Sequence, residues 1–384
     1  SAGGIRATAP ATGATNIDTT PTLTWTDTAT GTFYYEVQLS RDARFTTDPR
    51  TATAPVYTNL VHGGQSQPLD SWTVPAGFKL DAGATYAWRV RPRVQGDGAP
   101  VAWSATFTFQ TAGRSTPTRV VNGQSVYVPS HIFVVVLENH EYNQVIGSAD
   151  APYLNQLATQ FAMADRYYGV RHPSLPNYIA LLGGDTLGIT SDCTTCRVNA
   201  PNLVDLLEQA GRSWGGYFEG LPAPCNFTAQ AGNYVMRHNP FYYFQNVLSD
   251  PTRCQRVRPF TQFAQDLAAG TLPDFVWLGP DLRHSMHDAP TATGDQWLSG
   301  VLGPLLASPT WQQDSMVLVV WDEGTTDLGW NGGAGGGRVP ALFLAPFTKP
   351  GLRVSTPSTH YHLLRTIEDV WGLGRVGQTA DPAM

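Results

Sequence analysis

Two pairs of adjacent oxygen-bearing side chains follow apolar runs in this chain. Glu138-Asn139 comes after His131-Ile-Phe-Val-Val-Val-Leu137, and Asp322-Glu323 comes after Met316–Trp321. Continuous apolar runs of this length read as strands buried on both faces. In an open parallel sheet, ligands gather beyond the carboxyl ends of the strands. Three carboxylates and an amide brought to one sheet edge repel one another unless a cation binds them. An all-oxygen donor set favours one hard divalent ion, Mg²⁺, Ca²⁺ or Mn²⁺. The plainer alternative is that polar residues end strands and begin turns, which either pair alone would fit.

A serine stands where a helix is expected to begin. Ser174 lies in His172-Pro-Ser174-Leu-Pro176-Asn177-Tyr178, ahead of apolar Ile179–Leu182. Proline in a first helical turn predicts a helix start with Ser174 as its N-cap. The helix dipole and free N–H groups there stabilise an alkoxide and receive phosphate oxygens. The G-x-S-x-G elbow is missing, which disfavours an α/β-hydrolase triad. His284 and His287 lie in Pro280-Asp281-Leu-Arg-His284-Ser-Met-His287-Asp288, beyond a strand at Asp274–Leu278. Two histidines in that position could bind metal, donate protons or hold a phosphate. His360-Tyr-His362 opens the last helix, where either ring reaches the site or both only cap. Trp330–Gly337 lacks Gly-Lys-Ser/Thr and opens no helix, so it is no P-loop; it is expected to be a mobile loop near the site.

The elements that must position these residues form two parts. The chain has 384 residues, a formal net charge of −6 and 42% hydrophobic residues, enough for two or three packed domains. An acidic chain without a Lys/Arg-rich run gives no footprint for nucleic acid. No apolar run reaches membrane-spanning length. Residues 1–113 alternate with period two in strands expected at Thr22–Trp25, Tyr34–Leu39, Thr85–Pro92 and Ala105–Gln110, with Glu36 and Gln38 on a wet face. That pattern suggests a β-sandwich. Residues 114–130 read as a polar linker. From 131 to 384, strands alternate with helices expected at Tyr153–Phe161, Asn202–Ala210, Gln296–Ala307 and Tyr361–Trp371, which implies an α/β fold with an open, mostly parallel sheet. The four cysteines fit two disulfides in an oxidising compartment, with Cys193–Cys196 and Cys225–Cys254 favoured among three pairings. Zinc is the rival, but the 225/254 gap supplies no second close ligand pair. The start, Ser1-Ala-Gly-Gly, has neither a basic nor an apolar leader region, so a signal peptide is expected to have been removed already.

Several phrases together resemble a known family. They are Val136-Leu-Glu-Asn-His-Glu-Tyr142, Ala151-Pro-Tyr-Leu-Asn155, His172-Pro-Ser-Leu-Pro-Asn-Tyr178, Gly294-Asp-Gln-Trp-Leu298, Val319-Val-Trp-Asp-Glu-Gly324, Gly337-Arg-Val-Pro340 and Leu363-Leu-Arg-Thr-Ile-Glu-Asp369. In this order they resemble the bacterial phosphoesterase family of secreted acid phosphatases and phospholipases C, and most nearly the mycobacterial secreted acid phosphatase type. The resemblance implies an alkaline phosphatase-like sheet with helices on both faces. It also implies a secreted or envelope-exposed phosphomonoesterase whose substrates include phospholipids or phosphoinositides, working through a phosphoseryl intermediate. It assigns Ser174, His287 and His360 to catalysis. Asn139, Asn177 and His284 go to the substrate, and Glu138, Asn139, Ser174, Asp322 and Glu323 to the metal. The chain departs from the family at His284-Ser285, where Asn-Asp is frequent, which leaves the role of the missing Asp unfilled. The alternatives are a phospholipase C and a non-catalytic surface protein. Pro21-Thr-Leu-Thr-Trp25, Tyr35-Glu-Val-Gln-Leu39, Gly83-Ala-Thr-Tyr-Ala-Trp-Arg89 and Trp103-Ser-Ala-Thr-Phe107 resemble a fibronectin type III-like module, which implies attachment to envelope or polysaccharide.

Overall fold

The apolar run ahead of Glu138 forms β1 (Ile132–Leu137), and every residue in it is buried. It lies in the middle of a sheet, which explains why neither of its faces carries a polar residue. In this computed structural model, residues 5–27, 33–46, 57–62, 71–74, 80–81, 83–94, 102–112, 117–312 and 314–381 are described. The first four residues, read above for a leader, and the first part of the expected linker lie outside them. The chain divides into two units, Ser1–Ser115 and Thr116–Met384.

The second unit holds a nine-stranded sheet. Its strands are β1, β2 (Ala162–Tyr168), β3 (Trp214–Phe218), β4 (Val257–Pro259), β5 (Phe275–Gly279), β6 (Met316–Trp321), β7 (Arg338–Leu344), β8 (Arg353–Val354) and β9 (Ser358–Thr359). Their order is β4-β3-β5-β1-β6-β7-β2-β8, with β9 also paired to β2. The β1 strand pairs in parallel with β5 and β6, in register Ile132↔Phe275 and Ile132↔Met316. Only β7 runs against its neighbours β6 and β2. The sheet is therefore open, mixed and mostly parallel, and the tips of β1, β2, β3, β5 and β6 share one edge. The main helices are α1 (Pro152–Gln160), α2 (Ser174–Gly183), α3 (Leu203–Gln209), α4 (Thr261–Ala269), α5 (Thr291–Ala307) and α6 (His360–Trp371). All ten residues of α2 are buried, and it packs on α6. Gly184 ends α2 at φ 71°, and a Cβ there would stand 2.3 Å from the Val376 carbonyl, so only glycine fits.

The segment expected as a linker differs from expectation. Thr118–Val121 and Gln124–Tyr127 form a hairpin around Asn122-Gly123, both at positive φ. Asn-Gly favours this tight turn, and that signal outweighs the polar composition. Tyr127 packs on Phe347, and the Trp371 indole donates to the Pro129 carbonyl at 2.7 Å, so the hairpin belongs to the second unit.

In the first unit, strands Arg6–Ala9, Thr22–Thr26 and Ser71–Thr73 make one sheet. Ala14–Ile17, Phe107–Thr111, Thr85–Val94, Phe33–Ser40 and Tyr57–His62 make another. Leu23, Trp25, Tyr35, Val37, Trp72, Trp88 and Phe109 form the single core these sheets share. Glu36 departs from the expected wet face: it is buried and pairs with Arg91 at 2.6 Å. Arg89 and Arg91 lie over Trp103 and cover that side of the sheet.

Both disulfides, Cys193–Cys196 and Cys225–Cys254, form as favoured. They close loops of very different length, with sequence separations of 3 and 29. Loop entropy then predicts that removing Cys225–Cys254 costs about 3–4 kcal/mol, and removing Cys193–Cys196 about 2 kcal/mol. Urea unfolding of the two Cys→Ser double variants checks this, with the larger loss expected for the 225/254 variant.

Candidate active site

The edge formed by the strand tips brings the candidate residues to one point. Glu138 and Asp322, the first residues after β1 and β6, are 0% exposed, and Glu323 is 5% exposed. Ser174 Oγ donates to Glu138 Oε2 at 3.0 Å and to Glu323 Oε1 at 3.2 Å. Ser174 is therefore not the N-cap. Pro173 takes that position, and Ser174 is the first residue of α2, so its hydroxyl points at carboxylates instead of closing the helix. The Leu175 N–H is also engaged, donating to Asp192 Oδ1 at 2.9 Å. Asn139 stands at φ 55°, a left-handed conformation that asparagine tolerates better than most residues. Its N–H donates to Asp322 Oδ1 at 3.3 Å.

Electrostatics at this point are unfavourable without a counter-charge. Burial, then the negative charge of Asp322, holds Glu138 well above the usual carboxylate range. Burial, then Glu323, does the same to Asp322. Burial, then Glu138, pushes Glu323 up to about 8. Two more acceptors, Asn139 Oδ1 and Asp322 Oδ2, are buried with no hydrogen-bond donor among the described residues. Such orphaned oxygens are rare and each needs an explanation. Four clustered oxygen-bearing side chains, Asn139 and Asp322 among them with unmet acceptors, fit a hard divalent cation in charge and in donor type.

Other predicted site residues are placed differently. His360 is 0% exposed, and both of its ring nitrogens are engaged inside the protein. Nε2 reaches the Asp322 carbonyl at 2.6 Å, and the Tyr167 hydroxyl lies 2.9 Å from Nδ1. Burial also lowers its pKa to about 4. It holds the Asp322 backbone and has no nitrogen left for phosphate. Asn177 likewise serves the backbone. Its Oδ1 accepts from the Val170 N–H at 2.9 Å, and its Nδ2 donates to the Arg171 carbonyl at 2.7 Å, which fixes the loop before Ser174. His284 belongs to a separate cluster with Glu219 and Asp281. Its Nδ1 lies 2.8 Å from Glu219 Oε2, and its ring stacks on Trp297. His362 caps α6 through the Thr359 N–H at 3.1 Å. The Gly-rich stretch is tied down: Glu141 Oε1 accepts from the Thr325 and Thr326 N–H groups, each at 2.9 Å, and Gly336 N–H donates to Gly169 at 2.9 Å.

Three neighbours of the site had no role in the sequence reading. Tyr178, one turn into α2, donates its hydroxyl to Glu138 Oε1. His238 Nε2 lies 3.2 Å from the same oxygen, and the ring stacks on Tyr178. Burial, then the charges of Arg237 and His287, holds His238 well below the usual histidine range. His172 Nδ1 lies 2.6 Å from Glu323 Oε2. His287 remains near this group, with its ring 5.9 Å from that of His238 and its Nδ1 2.5 Å from Asp288. Tyr178 and His172 stand in the same phrase as Ser174 and were legible there. His238 is a lone histidine that ends a single 3-10 turn, Met236–His238, and no spacing signal marks it.

Comparison with known proteins places the chain in a family. The chain belongs to the phosphoesterase family, matching it over residues 148–374, more than half its length. It is 35% identical to a phosphatidylinositol-3-phosphatase of Mycobacterium tuberculosis, over 65% of this chain and 79% of that protein. It is 30% identical to an acid phosphatase of Aspergillus fumigatus, over 65% of this chain but only 56% of the relative. Among solved structures, it is similar to an alkaline phosphatase superfamily protein from Vibrio parahaemolyticus, 12% identical with a TM-score of 0.47, covering 66% of this chain and 70% of that one.

The raised Glu323 gives a pH prediction. Its folded-state pKa is about 8 against an ordinary 4.5, so the folded protein holds that proton more tightly than the unfolded chain does. Its contribution to stability is complete below about pH 4.5 and is lost as pH rises through about 8. Chelated protein should therefore melt at progressively lower temperature across that range. Glu323→Gln should flatten the trend, and adding a divalent cation at pH 8 should restore stability. An unchanged slope in Glu323→Gln would argue against this electrostatic account.

Proposed function

We propose that this chain is a secreted, metal-dependent phosphomonoesterase of the acid phosphatase type, with Ser174 as nucleophile and phosphoinositides among its substrates. The observation that carries this reading is the Ser174 hydroxyl, buried between Glu138 and Glu323 in a chain of the phosphoesterase family. The M. tuberculosis relative, named for a phosphoinositide monoester, supports the substrate class. Two disulfides support an oxidising compartment. Among the described residues, no helix is long and apolar enough to cross a membrane. On this reading the first unit is a fibronectin type III-like attachment module.

Glu138, Asn139, Asp322 and Glu323 would hold the cation, with Ser174 Oγ beside them. Bound there, a divalent ion neutralises the carboxylates and polarises the phosphoryl group. The Ser174 O–H already donates toward Glu138 and Glu323, which gives its proton an acceptor as Oγ attacks phosphorus in line. Tyr178 holds Glu138 in place from its other oxygen, with the His238 ring stacked against Tyr178. Asp288 orients His287 through its Nδ1, and His287 is the residue that would protonate the leaving oxygen. With that proton gone, His287 can accept one from the water that releases phosphate from Ser174. His360 acts by positioning the Asp322 backbone.

Hydrolysis of p-nitrophenyl phosphate tests the reading. Ser174→Ala should lower kcat by about 10³-fold or more with an unchanged melting profile. His287→Asn should lower kcat by about 10²–10³-fold on alkyl phosphates, whose alkoxide leaving group needs a proton, and much less on p-nitrophenyl phosphate, whose nitrophenolate does not. Faster hydrolysis of p-nitrophenylphosphorylcholine than of the monoester would favour the phospholipase C alternative. A Ser174→Ala protein with wild-type turnover would refute the proposed nucleophile.

A further inference from the structure

Beside the nucleophile lies a cleft of about 480 Å³, lined by Arg171, His172, Thr186, Asp327 and Tyr361 among others. That volume suits a small-molecule site. His172 joins the cleft to the catalytic group, since its Nδ1 lies 2.6 Å from Glu323 Oε2. Arg171 is the unexplained member. Its Nε is buried without an acceptor, and among the described residues its guanidinium forms no hydrogen bond or ion pair. The side chain as a whole is half-buried, but a donor nitrogen buried in this way is costly to leave unpaired.

The acidic neighbours do not answer it. Asp185 uses one oxygen for the Leu187 N–H at 2.9 Å and the other for Gln378 Nε2 at 2.8 Å. Asp327 stands on the rim, its side chain 92% exposed, and faces His172 Nε2 at 3.7 Å. The Arg171 backbone is fixed on both sides by Asn177, through its N–H at 3.3 Å and its carbonyl at 2.7 Å. The guanidinium is thus presented from a rigid loop two and three residues before Pro173 and Ser174 end it. Tyr361, with a pKa pushed up to about 12 by burial and then by Asp185, keeps its hydroxyl proton and adds a neutral donor.

We infer that this cleft is a second anion subsite, in which Arg171 binds a phosphate carried by the alcohol portion of the substrate while Ser174 attacks the first. The inference rests on the reading of Ser174 as nucleophile and narrows it to doubly anionic phosphoesters. A guanidinium matches phosphate geometry through paired N–H donors, which an ammonium does not reproduce. The second phosphate could belong to a soluble bisphosphorylated polyol or to the phosphodiester of a phosphoinositide.

The test compares p-nitrophenyl phosphate, soluble inositol 1,3-bisphosphate and phosphatidylinositol 3-phosphate in mixed micelles. In Arg171→Ala, kcat/KM for both doubly anionic substrates should fall about 10–100-fold more than kcat/KM for p-nitrophenyl phosphate. Arg171→Lys, which retains charge, should lie between. A loss confined to the soluble compound identifies a free polyol as the source, and a loss confined to the micellar compound identifies the lipid. Calorimetric binding of inositol 1,3-bisphosphate to Ser174→Ala protein, with and without Arg171→Ala, reads the subsite without turnover and should show the same loss of affinity. Equal losses on all three substrates, or unchanged bisphosphate affinity together with no selective loss on either doubly anionic substrate, would overturn the subsite. Failure of the unaltered protein to hydrolyse p-nitrophenyl phosphate would instead refute the catalytic reading and leave the binding result to decide the subsite.

Discussion

Three carboxylates buried around one hydroxyl set the terms for the rest of this protein. Burial of a charge is expensive, and like charges at close range raise one another's pKa. The sheet enforces that arrangement by placing β1 and β6 side by side and in parallel, so their first polar residues emerge together. The helix that carries Ser174 is buried along its whole length, which fixes the hydroxyl against the same edge. On the proposed reading, a bound cation would resolve the repulsion and satisfy the orphaned Asn139 and Asp322 oxygens.

Around this centre, histidines and tyrosines work mainly as supports. Tyr178, backed by the stacked His238 ring, holds one oxygen of Glu138, and His360 with Tyr167 holds the backbone of Asp322. Asn177 fixes the loop that leads into Ser174, and Glu141 pins the turn after Glu323. A nucleophile gains reactivity only when its surroundings cannot relax away from it, and buried partners of this kind supply that rigidity.

The site was legible where chemistry sat next to an unambiguous element. Glu138-Asn139 and Asp322-Glu323 follow apolar runs that can only be central strands, so their convergence could be read from the chain. Roles that depend on side-chain direction could not. His360 opens a helix, as expected, but faces the interior, because Tyr167 and the Asp322 carbonyl lie on that side. Ser174 was read as a cap because proline follows it closely, whereas Pro173 already fulfils that function. His238 comes from a short 3-10 turn between Cys225 and Cys254 that only the tertiary fold brings to Glu138. Strands β2, β3 and β4 carry mixed or short apolar patterns, and the Asn122-Gly123 turn was submerged in polar composition.

Anomalous diffraction from crystals soaked in Mn²⁺ addresses the central claim most directly. The account predicts a peak about 2.0–2.6 Å from oxygens of Glu138, Asn139, Asp322 and Glu323, with Ser174 Oγ in contact or nearly so. Ordered carboxylates with no peak between them, or a peak held only by Glu219, Asp281 and His284, would contradict it.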